Sequence, residues 1–191
     1  MRLILASGSP RRRELLEAAG LSFEVIPSPA EEIHDAGLGM EKLCETNAWL
    51  KAAAVAEHHP DAVVIGADTL VFLENEPLGK PADLEQAAAM LRRLSGFVHD
   101  VCTGVCIIAP GGKLTMLHDV TEVVFRKLDE ETISTYLAKT SPLDKAGAYG
   151  IQDHGEMIVK RISGGFDNVM GLPVDAVLDV LAGIGLPIAG R

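Results

Sequence analysis

The sequence predicts an α/β fold built on a mixed sheet, and three observations carry that prediction. The run Ala62–Leu73 (A-V-V-I-G-A-D-T-L-V-F-L) is apolar on both alternating faces and rich in Val and Ile, as a buried strand must be. Two further strand-like segments, Val98–Ile108 and Leu114–Phe125, flank Pro110-Gly111-Gly112 and read as an antiparallel hairpin. Helical segments alternate with these strands and supply crossovers. Hairpin plus crossover helices means a mixed sheet and not a purely doubly wound one.

The elements follow in order. Arg2–Ala6 reads as a first strand, and Pro10–Ala19 as a helix stopped by Gly20. Phe23–Ile26 is a short strand, after which a loop from Pro27 to about Gly39 carries Glu31 and Glu32. Met40–His58 is a long helix. Beyond the buried strand, Glu74-Asn75-Glu76 turns the chain toward Gly79-Lys80-Pro81. Helices are expected at Asp83–Leu94 and Asp129–Lys139, then a Gly-rich stretch at Asp144–Gln152, a strand at Met157–Ile162 and a closing helix at Pro173–Ala182.

Composition narrows the function classes. At 191 residues the chain is sized for one domain, 1–191, with a full core. Its net charge of −10 and 4% aromatic content argue against a nucleic-acid surface or a base-stacking platform. No apolar run reaches the ~20 residues of a membrane span, and the N-terminus lacks a signal-peptide pattern. Cys102 and Cys106 lie about 13 Å apart along one strand, beyond disulfide reach, and no cysteine has metal-type spacing. With Cys44 they are expected as reduced core thiols of a cytoplasmic protein.

Against that acidic background, L-I-L-A-S-G-S-P-R-R-R (3–13) stands out. A strand runs through Ser7-Gly8-Ser9 into a helix whose expected N-cap is Ser9 and whose first residue is Pro10. The helix N-terminus, ringed by Arg11, Arg12 and Arg13, makes an anion site, most naturally for phosphate. An ordinary capped helix with solvated arginines is the alternative.

Two polar residues then fall where the pattern is apolar. At about 100° per residue, Lys51 sits mid-arc among Leu43, Ala54, Cys44 and Val55, with Asn47 beside it, so it needs an anion or must snorkel. Asp68 interrupts a strand that is apolar on both faces. It must be paired, hydrogen-bonded or metal-bound, and it is a candidate general base or metal ligand. Gly66 just before it allows a bulge or close approach. Lys80 is a rigidly presented loop lysine without the Gly spacing of a Walker motif, and beside Asp68 it offers a second phosphate contact. The loop Asp144–Gln152 can present amide groups to a nucleobase edge or be a plain tight turn. His99 has no nucleophile paired to it by spacing, and a Ser–His–Asp hydrolase on Ser7 or Ser9 is disfavoured because the G-x-S-x-G elbow is absent.

Taken together, A-S-G-S-P-R-R-R-E-L-L (6–16), Lys51-Ala52, I-G-A-D-T (65–69), L-G-K-P (78–81), A-A-A-M-L-R-R-L-S-G (87–96), D-K-A-G-A-Y-G-I-Q (144–152) and V-M-G-L-P (169–173) resemble the Maf family of nucleotide pyrophosphatases. The resemblance spans nearly the whole chain. It implies a single elongated α/β domain of the ITP-pyrophosphatase-like type, with helices flanking a mixed sheet and a nucleotide cleft. It also implies cleavage of a nucleoside triphosphate between its α- and β-phosphates, with a divalent cation, Mg²⁺ or Mn²⁺.

By that resemblance Asp68 is the proton acceptor, and Arg11, Thr69 and Gln152 are the positions that separate substrate branches. All three match the dTTP/UTP branch and not the 7-methyl-GTP branch. Ser7, Ser9, Arg12, Lys51 and Lys80 are expected to hold phosphates, and Asp68 with Glu31 or Glu32 to hold the metal. A homodimer is implied by resemblance alone. Asp153, where many relatives carry Gly, and Leu50, where some carry Glu, depart from the family pattern. A nucleotide-binding regulator that senses without hydrolysing is the main alternative, and Asp68, kept amid apolar neighbours at a structural cost, argues against it.

Overall fold

The structure, a computed structural model, describes residues 1–188. The last three residues of the expected domain, 189–191, lie outside them. In chain order the elements are β1 (Arg2–Leu5), α1 (Pro10–Ala18), β2 (Glu24–Val25), α2 (Met40–Ala56), β3 (Ala62–Leu73) and β4 (Glu76–Leu78). They continue with α3 (Leu84–Leu94), β5 (Val98–Ala109), β6 (Lys113–Phe125), α4 (Glu130–Lys139), α5 (Gly155–Ile158), β7 (Val159–Ser163), α6 (Phe166–Met170) and α7 (Val174–Gly183). The strands form one seven-stranded sheet in the order β2-β1-β3-β5-β6-β7, with β4 also paired to β3. β1 lies parallel to β2 and β3, whereas β5, β6 and β7 continue antiparallel, so the sheet is mixed as expected.

Several elements differ from expectation at their ends. Met157 and Ile158 close the single turn α5 instead of opening a strand, and β7 begins at Val159. The three-residue β4 and the single turn α6 were not legible, because elements this short carry less than one full hydrophobic period. Asp83 and Asp129 cap α3 and α4 through side-chain bonds to the Gln86 and Thr132 N–H groups, 2.8 Å each. The expected cap at Ser9 does not form: its backbone is extended, but its hydroxyl makes no capping bond, and its N–H instead donates to Ser7 Oγ at 3.3 Å.

β3 is the axis of the molecule. On one edge it pairs with β5 from Val64 to Phe72. Its other edge pairs with β1 only as far as Ile65 and with β4 only from Val71. Among the described residues no strand therefore lies beside Gly66 to Leu70 on that edge, just past the C-terminal end of β1. Ligand clefts of open α/β sheets form at such carboxyl ends.

The two faces of β3 are covered differently. Val64, Leu70 and Phe72 point at α2 together with Cys102 and Cys106 of β5. Gly66 and Gly104 sit on this same face, and each is needed for the contact. A Cβ on Gly66 would meet the Ala48 carbonyl and lie 2.6 Å from Ala52 N, and one on Gly104 would lie 2.5 Å from both Cys44 O and Glu45 N. The helix thus rests directly on the sheet. On the opposite face Val63, Ile65 and Ala67 pack with α1 and α7, and Val71 and Leu73 pack with α3 and α4. Between these two cores lies a polar seam of Thr69, Thr103, Thr121 and Asn168, in which Thr103, Thr121 and Asn168 have no measurable exposure.

Two stability predictions follow. Gly104→Ala puts a methyl group into the α2 backbone, which cannot give way as a side chain would, and should cost about 3 kcal/mol in urea unfolding. His99 is buried between Phe125 and Tyr149, and burial pushes its pKa down to about 4. An unfolded histidine titrates near 6.5, so between these values only the unfolded chain takes up the proton. Stability is therefore full above about pH 6.5 and falls by about 3 kcal/mol as the pH drops toward 4. Thermal melts across this range should show the loss, and His99→Gln should flatten it.

Candidate active site

The uncovered edge of β3 opens into a cavity of about 740 Å³. Ser7, Ser9, Arg11, Arg12, Glu32, Lys51, Asp68, Thr69, Lys80 and Gln152 all line it. Of the residues expected to serve as proton acceptor, base selector, phosphate contact or metal ligand, Glu31 alone is not among its walls; it is exposed on the loop beside Glu32.

Asp68 and Thr69 are adjacent in β3, so they point to opposite faces of the sheet. Asp68 faces α2 and is 3% exposed. Its Oδ1 accepts from Lys51 Nζ at 2.7 Å and its Oδ2 from Asn47 Nδ2 at 3.0 Å. Lys51 and Asn47 stand four residues apart on α2, one turn of the same face. The anion that Lys51 was expected to need is thus a carboxylate pair: its Nζ also donates to Glu32 Oε1 at 2.7 Å. Partial burial pushes the Glu32 pKa up, but the hydrogen bond and charge of Lys51, with Lys80 and Arg12, outweigh it and leave the carboxyl below its ordinary range. Lys80 stands 3.9 Å from Glu32 and is more than half exposed, free to turn toward a ligand.

Asn47 has a further role that its position in the helical arc hinted at without specifying. Its Oδ1 accepts from the Ile33 N–H (2.8 Å) and its Nδ2 also donates to the Ile33 carbonyl (3.1 Å). One side chain therefore holds both the loop that carries Glu32 and the carboxylate of Asp68.

Thr69 faces the other way, onto the polar seam. Its Oγ1 accepts from Arg12 Nη2 at 2.9 Å and lies 2.9 Å from Thr103 Oγ1, whose hydroxyl donates to the Asn168 carbonyl at 3.0 Å. Arg12 also donates from Nε to the Gly171 carbonyl (2.8 Å) and from Nη1 to Ser7 Oγ (3.0 Å). Burial pulls its pKa below the ordinary value against the opposing charge of Asp68, yet a guanidinium remains cationic at any working pH. Three of its five N–H groups thus hold it in the fold, which leaves two for a ligand. Thr103 and Asn168 are support residues that the sequence did not reveal, because threonines in a strand are unremarkable until their register is known.

Arg11, one position earlier on α1, reaches the far side of the cavity and pairs with Asp144 at 3.3 Å. Arg13 is exposed and pairs along the helix with Glu17. Gln152 is exposed on the loop that follows Tyr149, whose hydroxyl meets His99 Nε2 at 2.8 Å. The cavity therefore has two ends. One gathers the α1 N-terminus, Arg12, Lys51 and Lys80 around two carboxylates. The other is formed by Arg11, Asp144, Tyr149 and Gln152.

Cationic groups and a helix N-terminus suit a polyanion. Asp68 Oδ1 and Glu32 Oε1 converge on one ammonium, so two hard oxygen donors are within reach of a single cation. Among the described residues no group of three or more His, Cys, Asp or Glu side chains forms a metal cage. The pair suits a magnesium-like ion that takes one or two carboxylates and completes its shell with ligand phosphates and water. Cys44, Cys102 and Cys106 are buried free thiols outside this set.

Comparison with known proteins agrees with the geometry. A protein from Akkermansia muciniphila named dTTP/UTP pyrophosphatase is 52% identical over 96% of both chains. Proteins of the same name from a Geobacillus strain and from Aquifex aeolicus are each 47% identical, covering 96% and 97% of this chain and 98% and 97% of their own. Among solved structures, the Staphylococcus aureus Ham1 protein shares the fold, with a TM-score of 0.58 and 16% identity over 96% of this chain and 100% of its own. The family model described as Maf-like protein matches residues 2–184, and the chain belongs to that family.

Proposed function

We propose that this protein is a nucleoside triphosphate pyrophosphatase acting on dTTP and UTP, which it splits into the nucleoside monophosphate and pyrophosphate. The observation that carries this reading is Asp68, a buried carboxylate held by Lys51 and Asn47 in the same cavity as a helix N-terminus and Arg12. A carboxylate in so apolar a strand is costly to fold, and its place against phosphate-binding chemistry gives that cost a use. The names of the relatives about half identical to this chain point the same way.

In this reading the triphosphate lies along the cavity with its phosphates at the α1 end, against Ser7, Ser9, Arg12, Lys51 and Lys80. These groups neutralise the anion so that water can approach the α-phosphorus. Asp68 accepts the proton of the attacking water, while Lys51, which donates to its Oδ1 at 2.7 Å, holds the carboxylate in place. Thr69 acts by holding Arg12, and Arg11 and Gln152 meet the base. A bound Mg²⁺ or Mn²⁺, held by Asp68 and Glu32 with the substrate phosphates, would supply further charge neutralisation at the scissile bridge.

Pyrophosphate release should be measured on a panel of nucleoside triphosphates with Mg²⁺ or Mn²⁺. Turnover of dTTP and UTP above the purine nucleotides is expected, and turnover restricted to purines would sink the substrate assignment. Asp68→Asn should lower kcat by about 10²-fold or more with the fold intact by thermal melt. Near-normal turnover in that variant would remove Asp68 from the chemistry.

A further inference from the structure

The loop that carries Gln152 is held in a strained path. Ala148 and His154 both have positive φ, +64° and +55°, a region that non-glycine residues enter only when their surroundings over-determine them. Three attachments do so. Tyr149 is tied to His99 at 2.8 Å, and the Gly150 N–H donates to the buried Tyr136 hydroxyl at 3.1 Å. The third is Lys145, whose side chain is 6% exposed although it carries a charge.

Lys145 Nζ makes two hydrogen bonds and one ion pair. They go to the Ser141 carbonyl (2.6 Å), to Asp144 Oδ1 (2.9 Å) and to Asp153 Oδ2 (3.0 Å). A Cβ on Gly150 would lie 2.8 Å from Lys145 Cε and 2.9 Å from Asp153 Oδ2, so the chain is glycine where these two meet. Asp144 then uses its other oxygen, Oδ2, to pair with Arg11 at 3.3 Å. Partial burial pushes Asp144 up, but Lys145 and Arg11 outweigh it and keep its carboxyl below the ordinary range, so it holds both cations at neutral pH.

The charges thus alternate without a break from Arg11 on α1, through Asp144 and Lys145, to Asp153, the residue next to Gln152. We infer that Lys145 and Asp153 are positioning residues for base selection, which fix Gln152 relative to Arg11 through this chain of ion pairs. The inference rests on the proposed activity and names a part of that site which neither Arg11 nor Gln152 supplies alone. A base-reading side chain discriminates only if its polar atoms are held in place, because a shift of about 1 Å costs most of a directional hydrogen bond.

The test is a double-mutant cycle on selectivity, the ratio of kcat/KM for dTTP to that for GTP. The Asp153 side chain is 42% exposed, so Asp153→Ala leaves the core untouched, and a thermal melt checks that it does. Asp153→Ala should lower the ratio about five- to tenfold, mainly through KM for dTTP. In a Gln152→Ala background the same change should alter it by less than about twofold, because the side chain it positions is gone. Lys145→Met should behave as Asp153→Ala does. An unchanged ratio in Asp153→Ala, or effects that simply multiply with Gln152→Ala, overturns the inference while leaving the substrate reading in place. A wild-type protein with no preference for dTTP over GTP overturns both.

Discussion

The close seat of α2 on the sheet is the constraint on which the rest of the structure depends. Gly66 and Gly104 leave no side chain between the helix backbone and strands β3 and β5. Only at that distance do Asn47 and Lys51 reach Asp68 directly, at 3.0 and 2.7 Å. A carboxylate buried in a strand without such partners would carry a penalty of several kcal/mol. Asn47 extends the same constraint to the loop at Ile33, and hence to Glu32. The two glycines therefore determine the electrostatics of the cavity from a layer below it.

The position of the cavity follows from strand lengths. β1 ends at Leu5 and β4 begins its pairing at Val71, so β3 runs uncovered between them. Adjacent residues on that bare segment, Asp68 and Thr69, then serve opposite faces of the sheet. One joins the helix α2 and its lysine, and the other joins the seam through which Arg12 is held. A single dipeptide thus connects the carboxylate pair to the guanidinium without any long-range device.

Much of this was legible in the sequence where a residue broke a pattern. Asp68 within an apolar strand and Lys51 within an apolar arc were visible as conflicts with burial, and they are each other's partners in the fold. The Arg-rich helix start was readable because strand, loop and helix signals fall within eleven residues. The seam of Thr103, Thr121 and Asn168 was not readable. Threonine suits a strand whether or not its hydroxyl matters, and only the pairing of Thr69 with Thr103 gives it meaning. The Glu31/Glu32 pair illustrates a second limit: neighbours in an irregular loop have no period, so nothing in the sequence says which of them turns inward. Ser9 shows a third, since a residue suited to a cap forms one only if nothing else claims its local geometry.

The polar seam has a consequence for how such a molecule changes over time. It divides the face of the sheet into two apolar cores, one under α1 and α7 and the other under α3 and α4. The Gln152 loop is rooted in the second core through Tyr149, whereas Arg12 grows from the helix that lies on the first. Substitutions that repack one core can reshape the end of the cavity it supports without passing through the other. Repacking around α3 and α4 therefore acts on the Tyr149 and Gln152 end of the cavity, while the groups around Asp68 rest on α2 and the opposite face of the sheet.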